Sequence, residues 1–328
     1  MSLDSATPVV LALTMVAGTA LLLAGCWDRL RTLSRSGLAI VALLSVLATV
    51  ALQINRMTEA FPTTAPAAAG SGSGTGIGSR VVQVTVAGTA SHLALQMYVY
   101  LPAAYRTGST RFPVIEALHG YPGSPNTWLR RLRVQSYLDG EIASGRMAPT
   151  VVLFPYQTPR SLLDTECTNL AGGPQVETFL TADVPAYART HLRVRTDRAA
   201  WGLTGYSAGA FCAINLGLRH ADQYVAAASL SGYAEPGIRI GDGSENTTNN
   251  PGWRLRHLPQ PDVALWLGWA ADDGGARRDS VRLAGLARPP LSLTTATVAH
   301  GGHSDAVWRQ MEPPAFDWLS AHLARPQP

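Results

Sequence analysis

Lysine is missing altogether: all 26 basic residues of this 328-residue chain are arginine. The arginines are scattered rather than gathered on one segment, so a nucleic-acid footprint is not indicated. Cysteine is almost as scarce. Cys26, Cys167 and Cys212 are too few for a disulfide scaffold and are not spaced as metal ligands. Charged residues make up only 15% of the chain, against roughly 25% in an ordinary soluble protein. Hydrophobic residues reach 46%, which excludes disorder of the whole chain. No period of about 20–50 residues recurs, so a repeat architecture is excluded as well. No motif for a metal, a nucleotide or a phosphate cradle is present, and no cofactor is expected.

What the chain does have is two uncharged runs near its N-terminus, Pro8–Cys26 and Ser36–Asn55. Each is long enough to span a hydrocarbon core of roughly 30 Å. Between them lie Arg29, Arg31 and Arg35 against the single Asp28, whereas no arginine precedes Pro8. The positive-inside rule puts this short loop in the cytoplasm and both ends of the hairpin outside. Two other readings compete. A cleaved signal peptide lacks its basic leading region here. A lipoprotein would use Leu23-Ala24-Gly25-Cys26 as its lipobox, but the second run would then return the chain to the cytoplasm. The expected organisation is a membrane anchor over 1–60, with spans at about 8–26 and 36–55, and a Gly/Ser/Ala/Pro linker over 61–79. A catalytic domain over 80–328, outside the cytoplasm at the cell membrane, completes it.

In that domain strands alternate with helices. Residues 80–86 and 93–101 read as an antiparallel pair. Short apolar runs at 112–118, 150–154, 199–204, 225–230, 263–269 and 292–298 read as buried strands. Helical periodicity covers 128–143, 176–191 and 210–220, with a last helix at 315–323. The expected fold class is α/β, a mostly parallel central sheet with helices on both faces.

Gly205-Tyr206-Ser207-Ala208-Gly209 fits the G-x-S-x-G pattern in which a serine sits at a strained turn between strand and helix. A predicted strand ends just before it and a helix follows. A serine hydroxyl needs a base, and the base an orienting acid. On this architecture the order along the chain is serine, acid, histidine. Asp272 or Asp273, after the strand 263–269, supplies the acid, with Asp272 preferred. His303, after the strand 292–298, supplies the base in preference to His300, because Gly301 and Gly302 allow the loop to project it. The oxyanion hole requires two backbone donors. The N–H groups of Ala208 and of Tyr121, in His119-Gly120-Tyr121-Pro122-Gly123, are the candidates. His119 itself reads as a loop-holding residue. Cys167 and Cys212 would pair in an oxidising compartment and tie a loop over the site to the helix that leaves Ser207.

Several segments together resemble a known family. Met97–Leu101, Leu118–Tyr121, Glu177–Thr181, Gly205–Gly209, Ser229–Gly232 and Gly302-His303-Ser304 with Trp308 are similar to the putative-esterase family of α/β hydrolases. That family includes esterase D, feruloyl esterases and secreted mycolyltransferases. The resemblance covers about residues 80–325. It implies the α/β-hydrolase fold, Ser207 as nucleophile, His303 as base, and the Tyr121 and Ala208 amides as oxyanion hole. The mycolyltransferases use Glu as third member, where this chain has Asp272 or Asp273. The hairpin and the lysine-poor composition resemble anchored esterase-family proteins of high-GC Gram-positive bacteria. The expected activity is hydrolysis of a small-molecule or lipid ester through an acyl-enzyme. Acyl transfer to a sugar or glycolipid hydroxyl is the alternative, and a non-catalytic envelope protein on a hydrolase scaffold the second.

Overall fold

The computed structural model describes residues 6–27, 32–58, 78–160 and 162–328. The chain divides into two units, Met1–Ala68 and Ala69–Pro328. Most of the short basic loop, and the linker as far as residue 77, lie outside the described residues.

Among its described residues the first unit has two helices, α1 (Ala6–Cys26) and α2 (Thr32–Thr58), packed on each other. Their segments Pro8–Gly25 and Ser34–Asn55 are long and apolar enough to cross a membrane. Leu11, Leu13, Leu21, Leu43, Leu44 and Leu47 are each more than half exposed. The hydroxyls of Thr19, Ser45 and Thr49 donate to the carbonyls of Met15, Val41 and Ser45 one turn back, each at 2.8 Å. A polar side chain satisfied within its own helix is compatible with an apolar medium.

The second unit is built on eight strands: β1 (Arg80–Ala87), β2 (Ala94–Leu101), β3 (Val114–Leu118), β4 (Val151–Pro155), β5 (Trp201–Tyr206), β6 (Ala226–Leu230), β7 (Ala264–Ala270) and β8 (Ser292–Val298). They form one sheet in the order β1-β2-β4-β3-β5-β6-β7-β8. β2 is antiparallel to β1 and β4; the other neighbours are parallel. The central strands β3, β4, β5 and β6 are buried along their whole length, because helices cover both faces. Alternate residues feed two cores. Val114, Leu203, Ile214 and Leu216 belong to one; Ile115, Trp128, Phe154, Tyr206, Trp308 and Phe316 belong to the other. This is the expected α/β-hydrolase fold with its antiparallel edge.

Among the described residues the helices of the second unit are α3 (Val134–Ala143), α4 (Val176–Thr178), α5 (Val184–His191), α6 (Ala208–Arg219), α7 (Pro251–His257), α8 (Gly274–Leu286) and α9 (Asp305–His322). Four of them, α3, α7, α8 and α9, differ from the sequence reading. The stretch 128–143 is not one helix: a π turn at Thr127–Arg131 is followed by Arg133 in the left-handed region at φ 61°. Trp128 and Leu132 are buried, and so are Val134 and Leu138. The step from 132 to 134 is not a helical spacing, so the chain must break to bury both pairs. The last helix starts at Asp305, ten residues before its expected start, and runs through Pro313 and Pro314. Its stripe of Val307, Trp308, Met311, Ala315, Phe316 and Leu319 is buried, which outweighs a proline cost of about 3 kcal/mol. Finally, α7 and α8 occupy segments where no helix was expected.

Helix α9 also buries Glu312 completely, and neither carboxylate oxygen has a hydrogen-bond partner among the described residues. Burial pushes its carboxyl from 4.5 up to about 9. The native state therefore holds this proton over a range where the unfolded chain has lost it, and stability falls as pH rises through that window. Glu312→Gln should flatten the fall. Between pH 5 and pH 8, denaturant unfolding of the wild type should lose about 4 kcal/mol more than that of the variant. Parallel losses in the two proteins would show that Glu312 is not held protonated.

Candidate active site

The strand β5 ends at Tyr206 and α6 begins at Ala208, which leaves Ser207 alone at the corner. Its backbone sits at φ 55°, ψ −122°, a sparsely populated conformation of the kind found at functional sites. The corner is possible only because the flanking positions are glycine. A Cβ on Gly205 would lie 2.1 Å from the Gly209 carbonyl oxygen, and one on Gly209 would lie 2.2 Å from that of Leu118. The N–H of Ser207 donates to the Leu230 carbonyl at 3.0 Å and anchors the turn to β6.

Ser207 and His303 are 96 residues apart, yet the Ser207 hydroxyl donates to His303 Nε2 at 2.8 Å. The other ring nitrogen, Nδ1, donates to Asp273 Oδ2 at 2.7 Å. Ser207 is half-buried, and 42% of the His303 side chain is exposed, so a substrate reaches both from solvent. Trp308 stands edge-on to the His303 ring, 5.1 Å away at 89°, and packs against Tyr206 at 4.6 Å. Tyr206 in turn meets Trp128 at 5.1 Å. The serine and the histidine are thus backed by one aromatic stack.

The carboxylate on the histidine is Asp273, which corrects the preference for Asp272. The cause is the start of α8. Asp273 is its N-cap, and Oδ1 accepts the Ala276 N–H at 3.2 Å. This fixes the side chain inward, 8% exposed, with Oδ2 turned to His303. Asp272 is exposed and points at the backbone of the histidine loop instead. An Asp three residues before the first buried residue of a helix is a capping signal. It was readable in Asp273-Gly274-Gly275-Ala276, but the two glycines hid the helix. His300 is exposed and lies near Asp272, not at Ser207.

The two proposed oxyanion donors flank the serine. Ala208 is the first residue of α6, so its N–H has no acceptor within the helix. On the other side the β3 loop comes close: a Cβ on Gly120 would lie 3.1 Å from Ser207 Cβ. That brings the Tyr121 amide to the same corner, and no backbone carbonyl among the described residues takes it. His119 anchors the loop. Its Nδ1–H donates to the Gly120 carbonyl at 2.8 Å and Nε2 accepts from the Gln157 N–H at 3.3 Å. Complete burial lowers its pKa to about 4 and keeps it neutral. Gln157 exchanges two further bonds with the His119 backbone, at 3.0 and 2.5 Å.

Cys167 and Cys212 form a disulfide, Cα to Cα 5.6 Å. It ties the loop after β4 to α6, five residues past Ser207. Glu166, next to it, accepts the Tyr233 hydroxyl at 2.5 Å and the Gly237 N–H at 2.8 Å, which fastens the same loop to the one after β6. The bond closes a sequence separation of 45 residues. Replacing both cysteines by alanine should lower the unfolding free energy of the oxidised protein by about 3–4 kcal/mol. Denaturant titration checks this, and a midpoint unchanged within error would show that the bond contributes nothing.

A sequence model of the family described as "Putative esterase" matches residues 92–326. An uncharacterized protein of Corynebacterium glutamicum, Cgl0967/cg1104, is 26% identical over 263 residues, 73% of this chain and 61% of that protein. The diacylglycerol acyltransferase/mycolyltransferase Ag85B of Mycobacterium avium is 29% identical over 157 residues, 39% of this chain and 47% of the relative. The chain thus spans less than two thirds of the length of either curated relative. Among solved structures, a ferulic acid esterase superposes with a TM-score of 0.66 at 21% identity, covering 75% of this chain and 99% of that one. At that identity the likeness is one of fold.

Proposed function

Since the chain belongs to the Putative esterase family, an enzyme family of the serine-hydrolase type, we propose that it is a membrane-anchored serine esterase that hydrolyses a carboxylic ester outside the cytoplasm. The observation that carries the reading is His303 placed between Ser207 at 2.8 Å and Asp273 at 2.7 Å. Ser207 Oγ attacks the ester carbonyl carbon while His303 Nε2 takes its proton. Asp273 holds the ring through Nδ1–H and stabilises the imidazolium. The amides of Ala208 and Tyr121 receive the developing oxyanion. The tetrahedral intermediate collapses, the alcohol leaves with the proton from Nε2, and the acyl group stays on Ser207. Water, deprotonated by His303, then releases the acid and restores the serine.

Acyl transfer is the second reading, favoured by the relative named as a mycolyltransferase. A sugar or glycolipid hydroxyl then replaces water at the last step. The whole chain in detergent, given p-nitrophenyl esters of graded chain length with and without trehalose, separates the two. Hydrolysis predicts p-nitrophenol release that trehalose leaves unchanged; transfer predicts an acylated sugar. No turnover of any ester would defeat both.

The extracytoplasmic placement rests on the two apolar spans, the arginines between them and the disulfide. Reporter fusions after Met57 should be active only outside the cytoplasm, and fusions within 29–35 only inside. The opposite pattern would put the catalytic domain in the cytoplasm.

A further inference from the structure

The loop that presents His303 contains Gly301 at φ 127° and Gly302 at φ 59°. Two consecutive residues of this kind have the widest backbone freedom in the chain's repertoire. Left to itself, such a loop would not hold an imidazole to within a few tenths of an ångström of two partners. Something must restrain it.

The restraint begins in the sheet. β7 and β8 run parallel, and their last paired residues are Ala270 and Val298. The Ala271 N–H extends the ladder by one bond, to the Val298 carbonyl at 2.8 Å. Beyond that point the two chains part, and the side chain of Asp272 bridges them. One oxygen, Oδ2, accepts the Gly301 N–H at 3.1 Å; the other, Oδ1, accepts the Gly302 N–H at 2.9 Å. The Ser304 hydroxyl closes the other end of the loop on the Gly301 carbonyl at 2.7 Å. The amides of Gly302 and Gly301 hold the Asp272 carboxyl below its ordinary pKa, so it bridges them as a carboxylate.

We propose that Asp272 is a positioning residue for the catalytic base: its carboxylate clamps the Gly301–Gly302 backbone and so presents His303 to Ser207 and Asp273 together. This rests on the reading of His303 as the base. The adjacent carboxylates divide the work, Asp273 orienting the ring and Asp272 the backbone that carries it. An exposed bond of this kind matters little to global stability, whereas a displacement of about 1 Å in a catalytic group costs on the order of 100-fold in rate.

The test compares the full-length wild type, Asp272→Ala, Asp272→Asn and Asp273→Asn in detergent. Two readouts are taken: p-nitrophenyl acetate kinetics, and the strongly deshielded NMR resonance of the His303 Nδ1 proton bonded to Asp273. Asp272→Ala should lower kcat about 10- to 100-fold, with KM within about twofold, and broaden or remove the resonance. Asp272→Asn keeps one acceptor oxygen and should fall between the two. Should Asp272→Ala not fold, Asp272→Asn decides alone. Wild-type kcat with a wild-type resonance, or a change confined to KM, would overturn the proposal. A wild type that turns over no ester defeats the parent reading instead, and the resonance alone then decides the clamp.

Discussion

Ser207→Ala should lower ester hydrolysis by about three to six orders of magnitude while leaving the fold intact. The residues of a catalytic triad act as a unit, so removing the nucleophile costs nearly as much as removing all three. What remains comes from oxyanion stabilisation and binding alone. The fold should survive because the turn is held by backbone: the N–H of residue 207 on the Leu230 carbonyl, and the close approach of Gly209 to Leu118. Loss of the hydroxyl removes only its bond to His303. The same kcat measurement with an unchanged unfolding temperature checks this. Activity within tenfold of wild type would contradict the mechanism.

Asp273→Asn should cost about 10³- to 10⁴-fold in kcat, far more than any change at Asp272. An asparagine in this place can donate to Nδ1 and trap the ring in the wrong tautomer, in which Nε2 carries a proton and no longer accepts from Ser207. The substitution is informative because it spares folding. Asp273 also caps α8 through Ala276, and asparagine caps helices as well as aspartate does. Loss of rate without loss of stability is the expected signature, read by kinetics and thermal unfolding on one preparation. A greater loss in Asp272→Asn than in Asp273→Asn would reverse the assignment.

The two aspartates also show where a sequence stops being legible. The strand–serine–helix corner was readable because its glycines are a steric necessity, and the position of His303 because a loop after a late strand must deliver it. The pairing of Cys167 with Cys212 followed from compartment and placement. Asp272 and Asp273 follow the same strand, and no pattern of types or spacing separates them unless α8 is recognised. That helix opens on Gly274-Gly275 and buries only Ala276, Ser280 and Leu283, too thin a stripe to stand out. In α9 the opposite happened: the apolar pattern showed only its last part, 315–323, and the helix runs on through Pro313-Pro314 because the packing of Trp308, Met311 and Phe316 overrides the local cost of proline. In both cases tertiary burial decided what local propensity left open.

The central claim is that Ser207 is the activated nucleophile, and covalent labelling tests it most directly. The intact chain is treated with a fluorophosphonate, reduced, digested with trypsin and mapped by mass spectrometry. Cleavage after Arg198 and Arg219 isolates residues 199–219, in which Ser207 is the single serine. The predicted result is one adduct, on Ser207, that disappears in Ser207→Ala and is strongly slowed in Asp273→Asn. No adduct on the folded protein, or an adduct on another residue with Ser207 unmodified, would contradict it.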